Sequence, residues 1–391
     1  MAINVSLIGA GAAGNKAVID YMTSGADDNV KSVLINSTKN DIPNSFRENS
    51  IIFGSTTQVL GGCGKERNLG SSVILDDLRS GRININEIID KDSNIAVIVT
   101  STEGGTGSAI TPIIAKYIVD VIGIPVVVIA FFGFNSDVRG MQNSIEFCQE
   151  LYEKYAVIGI SNYKYLKDSN NNLVQAEKLA NKKFIEIMRF ISGKKFIPGS
   201  QNIDNTDLFK LISTPGYMMI ESTDLSKISS VEEFNAAINN EILNSHLLDA
   251  GKKGCKRLGV LYDVSESSER YIDFTANNLK EKYGTPYEIF THIQNDNPST
   301  ISWIAAGCTL PLEEVKNIYE EYKTHSAEVN KTQDSFFDEL KSWKGNSEDS
   351  MFNHFKVKHG KEQTIDKSKE NFFAEYGVSS SEDKSKTKKE E

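Results

Sequence analysis

Two glycine-rich segments, Gly9-Ala10-Gly11-Ala12-Ala13-Gly14 and Glu103-Gly104-Gly105-Thr106-Gly107-Ser108-Ala109, each follow an apolar run and precede a helical pattern. Turns of that build aim unpaired backbone N–H groups at an anion, so the pair is suited to grip one phosphate chain. A third segment, Asn202-Ile203-Asp204-Asn205-Thr206-Asp207, is acidic. Carboxylates repel phosphates unless they hold a metal, orient a water, or act on the nucleotide of another molecule.

Taken alone, Gly9, Gly11 and Gly14 fit the dinucleotide pattern GxGxxG, so a nicotinamide-dependent oxidoreductase is one reading. That fold wants an acidic residue about 20 residues on, at the end of its second strand, to hold the ribose. Here the run Val33-Leu34-Ile35 ends in Asn36. The second turn lacks the lysine of GxxxxGK[ST], which excludes a Walker A loop there. Thr106 and Ser108 add hydroxyl donors, and Lys16, just inside the first helix, adds a cation for phosphates. Either turn alone could be a tight turn and nothing more; two such turns in one sheet could grip both ends of a triphosphate.

The elements that must position these residues follow from hydrophobic pattern. Val- and Ile-rich runs at Ile3–Ile8, Ser32–Ile35, Ile95–Thr100, Pro125–Phe131 and Ala156–Ile160 alternate with helical segments. They read as strands buried on both faces of a parallel sheet, a doubly wound α/β arrangement. Apolar residues at helical spacing from Leu173 to Ile191 predict one long amphipathic helix. After the acidic loop and a segment over Leu208–Ile220, strand patterns at Arg257–Tyr262, Tyr287–Gln294 and Thr300–Ala306 accompany helical ones at Glu266–Tyr283 and Leu312–Tyr322. This predicts a second, smaller α/β domain beginning near Gln201. Beyond Ser326 the chain is charged, with aromatic pairs Phe336-Phe337 and Phe372-Phe373, and its last residues from Ser379 are expected to be disordered.

Composition narrows the function classes. At 391 residues and 39% apolar content the chain can build two ordinary cores. A net charge of −10 argues against a whole-surface nucleic-acid footprint, so no direct sequence-specific DNA binding is expected. Cys63, Cys148, Cys255 and Cys308 form no CxxC pair, which suggests neither zinc nor a disulfide framework. No run is long enough for a membrane span, and Met1–Gly9 lacks the build of a signal peptide, so a cytoplasmic protein without membrane contact is expected.

The second turn resembles the GGGTGSG or GGGTGTG signature of the tubulin and FtsZ family, and Gly9 to Asn15 resembles that family's first loop. The likeness continues over more than 200 residues. Asn36 stands where the second nucleotide loop begins, and Leu60-Gly61-Gly62-Cys63-Gly64-Lys65 is similar to the third. Phe132 to Arg139 resembles the ribose loop, with Asn135 where FtsZ carries a glutamate. Ser161-Asn162 resembles the segment before the central helix, and Asn181 falls where that helix offers an amide to guanine. Asn202-Ile203-Asp204-Asn205-Thr206-Asp207 fits NxDxxD and precedes Ser213-Thr214-Pro215-Gly216-Tyr217-Met218-Met219, similar to the family's Gly-Tyr-(Ala)-Met-Met segment.

The resemblance implies an assembly-dependent GTPase that binds GTP with Mg²⁺ in its first domain. It implies a GTP-binding domain over 1–172, a central helix and linker over 173–200, an activation domain over 201–325, and a C-terminal helical extension and tail over 326–391. Asn162 and Asn181 would read guanine, since an amide carries donor and acceptor on one plane; each could equally be a turn former or a cap. Asp204 and Asp207, with Asn202, would act across a subunit boundary, polarising the water that attacks the neighbour's γ-phosphate; the alternative is that the two acids cap the following helix. Such a heterologous contact does not close and makes filaments. Glu103, at a position that is small in the family, Ala109 in place of its last glycine, and Asn135 are departures that leave phosphate, metal and sugar contacts open.

No membrane-tether peptide of the FtsZ type follows Ile365, and the tail mixes Lys384, Lys386, Lys388 and Lys389 with acids. The chain is most similar to the plasmid and phage partition branch, TubZ, which implies a DNA-bound adaptor docked on the tail, although such charge runs are often only solvated. Alternatives are a phage tubulin that positions replicating DNA, the oxidoreductase above, and a filament protein that binds nucleotide without hydrolysis.

Overall fold

A computed structural model describes residues 3–54, 61–134, 137–151, 154–250, 254–265, 272–296 and 299–329. Strands β1 (Val5–Ala10), β2 (Val30–Asn36), β3 (Ser50–Ile52), β4 (Ile95–Ser101), β5 (Val126–Phe132) and β6 (Ala156–Ser161) form a parallel sheet in the order β3-β2-β1-β4-β5-β6. Every residue of β1, β5 and β6 is buried, as their largely apolar sequences require of strands covered on both faces. Between them run α1 (Gly11–Thr23), α2 (Arg67–Arg79), α3 (Gly107–Tyr117) and α4 (Val138–Leu151). After β6 come α5 (Asn162–Asp168) and α6 (Leu173–Ile191).

The remaining strands extend the same sheet. After α7 (Asn205–Ile212) comes β7 (Gly216–Asp224), then α8 (Val231–Leu243), β8 (Arg257–Asp263), α9 (Ile272–Tyr283), β9 (Glu288–Gln294), β10 (Thr300–Cys308) and α10 (Leu312–Val329). The ten-stranded order ends β6-β7-β10-β8-β9. β6 and β7 pair in parallel through only Ala156↔Gly216 and Val157↔Tyr217, whereas β7–β10 and β10–β8 are long antiparallel ladders. The strands expected of a smaller second domain are thus joined to the first sheet at one short seam.

The helix expected over Leu173–Ile191 has those bounds. Asn172 caps it by accepting the Gln175 N–H at 3.1 Å. Ala176, Ala180, Phe184, Ile187, Met188 and Ile191 form its buried stripe. Nineteen residues at 1.5 Å each make α6 about 28 Å long. It runs beside α1 in the same direction, with Glu177 paired to Lys16, Asn181 bonded to Asp20 at 2.6 Å, and its C-cap Ser192 bonded to Asp27 at 2.6 Å. Lys183 ties it to the buried Glu221 of β7 at 2.5 Å, and Ser245 donates to the same carboxylate.

Among the elements that the sequence pattern left unassigned are β3, β7 and α8. β7 is apolar only at its start, because Glu221 and Ser222 face polar partners within the fold. α8 has only Phe234, Ile238 and Ile242 buried, a narrow stripe. The helix expected from Glu266 is described from Ile272, and the one expected over Leu312–Tyr322 continues to Val329. The aromatic pairs Phe336-Phe337 and Phe372-Phe373 and the lysine-bearing tail lie outside the described residues.

Phe184 is fully buried and meets Tyr21 of α1 and Phe131 of β5 edge-on, each at 6.3 Å between ring centroids. Phe184→Ala is therefore expected to cost about 3–5 kcal/mol, read as a lower urea midpoint at an unchanged slope.

Candidate functional site

The two glycine turns touch. A Cβ on Gly11, which has φ +74°, would fall 2.8 Å from the Gly107 N, and one on Gly107 would overlap the Ala10 carbonyl and the Thr100 hydroxyl. Gly14 admits α1 against β4, since a Cβ there would overlap the Val99 carbonyl. The third loop is equally close: a Cβ on Gly105 would sit 2.5 Å from the Glu66 N. The N-termini of α1, α2 and α3 therefore converge at one edge of the sheet.

Those three termini share a second property. The N-cap side chains of α5, α6, α7 and α8, namely Ser161, Asn172, Asp204 and Ser230, each accept a backbone N–H. Ala10, Glu66 and Thr106, at the N-caps of α1, α2 and α3, make no such bond among the described residues. Uncapped N–H groups and three helix dipoles aimed at one place are the requirement for binding a polyanion.

The loops around this cradle are cross-linked. Ser37 and Thr106 hydroxyls meet at 3.2 Å, and Asn36, buried at the end of β2, donates to Asp41 and accepts the Ser37 N–H. Asn143 of α4 donates to the Lys65 and Glu103 carbonyls at 3.0 and 2.9 Å. Arg139 bonds the Lys65 carbonyl at 3.3 Å and Glu66 at 2.5 Å, while Lys65 pairs with Asp137. Arg67, nearly buried, holds the Ser108 carbonyl at 3.0 Å and carboxylates of Glu146 and Glu150. Burial pushes the Glu150 carboxyl above its usual range, and Arg67 opposes that shift.

Most of the expected nucleotide residues thus lie on this edge: Gly9, Ala10, Gly11, Ala12, Ala13 and Gly14 at the first turn, Gly64 in the third loop, and Glu103, Gly104, Gly105, Thr106, Gly107 and Ser108 at the second turn. Ser108 donates to the Gly104 carbonyl. Lys16 points elsewhere, to Glu177, because α6 lies along its side of α1. Asn15 is fully buried, donates to the Ile35 carbonyl at 3.2 Å and leaves its Oδ1 without a partner. Asn162 also has a buried Oδ1 without a partner, whereas the Asn181 amide donates to Asp20. Asn135 lies outside the described residues. Arg67, Asp137 and Asn143 were not anticipated; the available signal for Asn143 was a polar residue on the apolar stripe of α4, between Met141 and Ile145.

The acidic loop lies at the other edge. The C-terminus of α6 is fixed by Asn29, which bonds the Ser192 carbonyl at 2.9 Å immediately before β2 begins. α7 then leads into β7, whose first residues pair with the start of β6. Asp204 caps α7 by accepting the Asp207 N–H at 2.9 Å, and Asn202 exchanges bonds with Gly199. His292 of β9 clamps the loop: its Nδ1 accepts the Ile203 N–H at 3.0 Å while Nε2–H donates to the Ile197 carbonyl at 2.8 Å. A Cβ on Gly199 would overlap the Ile293 carbonyl, so this segment rests directly on β9. Among the described residues of one chain no group of three or more His, Cys, Asp or Glu side chains could hold a metal.

Residues 4–170 match the sequence profile described as the Tubulin/FtsZ family, GTPase domain. The chain is 24% identical over 287 residues to a cell division protein FtsZ of Magnetospirillum gryphiswaldense, covering 71% of this chain and 49% of the relative. It is 27% identical over 274 residues to FtsZ of Buchnera aphidicola, covering 69% and 68%. The chain thus spans about half the length of the first of these relatives. Among solved structures, a GTPγS-form protofilament of Bacillus thuringiensis serovar israelensis TubZ superposes with a TM-score of 0.68 at 18% identity, over 83% of this chain and 93% of that one. This last likeness establishes a shared fold.

The His292 clamp should be acid-sensitive. Burial holds its imidazole below the ordinary pKa, against smaller opposing effects of Ile197, Gln294 and Asp263. Below the unfolded value of about 6.5 the unfolded chain takes up a proton that the clamped ring refuses. The clamp's stability is thus complete above that pH and falls as pH drops toward the lower native value. Hydrogen exchange at the Ile203 amide, corrected for intrinsic rates, is expected to lose protection from about pH 7.5 to about 5.5; constant protection would refute the clamp.

Proposed function

We propose that this chain, whose residues 4–170 match the tubulin/FtsZ GTPase-domain profile, is a GTPase of that family that polymerises head-to-tail and completes its active site only between subunits. The observation that carries this reading is the separation of phosphate turns and acidic loop by the length of α6, about 28 Å for its nineteen residues. No side chain of Asp204 or Asp207 spans that distance to its own subunit's turns. A second copy stacked acidic edge to phosphate edge removes the conflict between carboxylates and phosphates that one subunit presents.

In this reading the uncapped N-termini of α1, α2 and α3 hold the triphosphate through backbone N–H groups, with Thr106 and Ser108 beside them. Mg²⁺ bound with the nucleotide would neutralise phosphate charge; the described residues offer it no closed cage, which fits an ion that keeps waters and takes phosphate oxygens. Asn162 and Asn181 take the base edge, and the unpartnered Oδ1 atoms of Asn162 and Asn15 are acceptors for donors that a guanine carries. Arg139 orders the sugar-side loop through Lys65 and Glu66. From the neighbour, Asp207, half-buried in the first turn of α7, orients the attacking water. Asp204, tied to its capping bond, and Asn202, tied to Gly199, keep the loop in shape.

The cellular role that fits is movement of plasmid or phage DNA in the cytoplasm, with an adaptor on residues 326–391. Likeness of fold to TubZ and the mixed lysine-acid tail support it. The oxidoreductase reading is disfavoured by Asn36, whose amide is engaged by Asp41 where a ribose-binding acid would be needed.

Light scattering is expected to rise with GTP or a slowly hydrolysed analogue, and not with ATP or NAD. Assembly with NAD alone would overturn the reading. Asp207→Ala is expected to bind GTP normally, to lose turnover by roughly a hundredfold or more, and to leave longer-lived filaments. Unchanged turnover per subunit would remove Asp207 from the mechanism.

A further inference from the structure

Glu103 opens the second phosphate turn, yet its carboxyl does not stay there. A Cβ on Gly133, just beyond β5, would overlap that carboxylate, and one on Gly140, in the first turn of α4, would lie 3.2 Å from its Cβ, Cγ and Cδ. The side chain therefore leaves the end of β4 and lies in a slot that two glycines keep open over the end of β5.

The order of strand ends says what passes over that slot. Along the edge they run β2, β1, β4, β5, β6, at about 4.8 Å per strand. The cradle sits between β1 and β4, where Gly11 meets Gly107. Asn162, with its unpartnered buried Oδ1, follows β6. A nucleotide with phosphates in the cradle and base at Asn162 lays its sugar over β5, beside Gly133. The cis-diol of a ribose presents two O–H donors on adjacent carbons, matched to the two oxygens of one carboxylate.

We infer that Glu103 is a sugar-recognition residue, its carboxylate accepting the ribose hydroxyls of the bound nucleotide. This rests on the nucleotide reading above and adds to it a residue on the phosphate turn that selects ribonucleotides. A carboxylate acting only as a brace between strand ends would not distinguish a sugar with hydroxyls from one without.

The experiment is equilibrium binding, by the full chain with Mg²⁺, of GTP, 2′,3′-dideoxy-GTP, ATP and 2′,3′-dideoxy-ATP. Wild type is expected to prefer the ribonucleotide over its dideoxy form by roughly ten- to hundredfold, the range for a hydrogen bond to a charged group. Glu103→Ala should erase that preference, weakening GTP while leaving dideoxy-GTP nearly unchanged. Gly133→Ala, which keeps the carboxylate but fills its slot, should erode the same preference. Equal wild-type binding of GTP and dideoxy-GTP, or a preference that survives Glu103→Ala, overturns the inference while leaving the GTP reading intact. Binding of none of the four nucleotides overturns both.

Discussion

The structure depends on the close approach of three helix N-termini that no side chain caps. Each terminus carries about half a positive charge and several unpaired N–H groups. Bringing α1, α2 and α3 together, with Gly11 against Gly107 and Gly105 against Glu66, sets like partial charges side by side. Elsewhere the chain caps its helices, at Ser161, Asn172, Asp204 and Ser230. The omission of caps at one place is thus a local cost, and it is offset only when an anion sits there. Glycine is required because backbone must approach backbone: the cradle is made of main chain, and any Cβ at Gly11, Gly14 or Gly107 would drive it apart.

α6 turns that local constraint into a global one. Its bonds to α1 occur in order, Glu177 with Lys16, Asn181 with Asp20 and Ser192 with Asp27, so the two helices share direction and both span the sheet. Whatever follows α6 must begin at the edge away from the cradle. His292, Gly199 and the Asp204 cap then fix the acidic loop at that far edge. Lys183 fastens the same helix to β7 through the buried Glu221, a carboxylate that Ser245 also bonds, and the pairing of β7 with β6 is short. A helix that runs beside α1 from the cradle side and ends near the acidic loop is the element through which the two edges are mechanically related.

What was legible in the sequence was what local pattern encodes. β1, β2, β4, β5 and β6 are rich in Val and Ile, and α6 carries a complete apolar stripe, so these could be read to within a residue or two, whereas the three-residue β3 is too short to carry a pattern. The glycine turns were legible because backbone approach demands glycine at fixed spacing. What was not legible depended on partners distant in the chain. β7 contains Glu221, which reads as a strand breaker until Lys183, 38 residues earlier, is placed beside it. Lys16 reads as a phosphate ligand from its neighbours in sequence, but its partner Glu177 is 161 residues away. Asn143 shows in sequence only as a polar residue on the apolar stripe of α4, and its link between the third loop and the second turn depends on partners far along the chain. That the strands after β6 join the same sheet rests on two residue pairs no periodicity could reveal.

The opposition between phosphate turns and carboxylates is then a consequence of geometry. Within a subunit the acidic loop lies about 28 Å of helix away from the cradle, so the loop would cost a nucleotide bound there little, since charges so separated in salt are screened. Between subunits the same loop would close over the terminal phosphate, where carboxylates are useful only if a water or a cation lies between. In the proposed reading, binding needs no hydrolysis, and hydrolysis waits on contact. In that reading, the separation that α6 imposes would let one nucleotide hold a subunit ready for assembly and, once assembled, be consumed there.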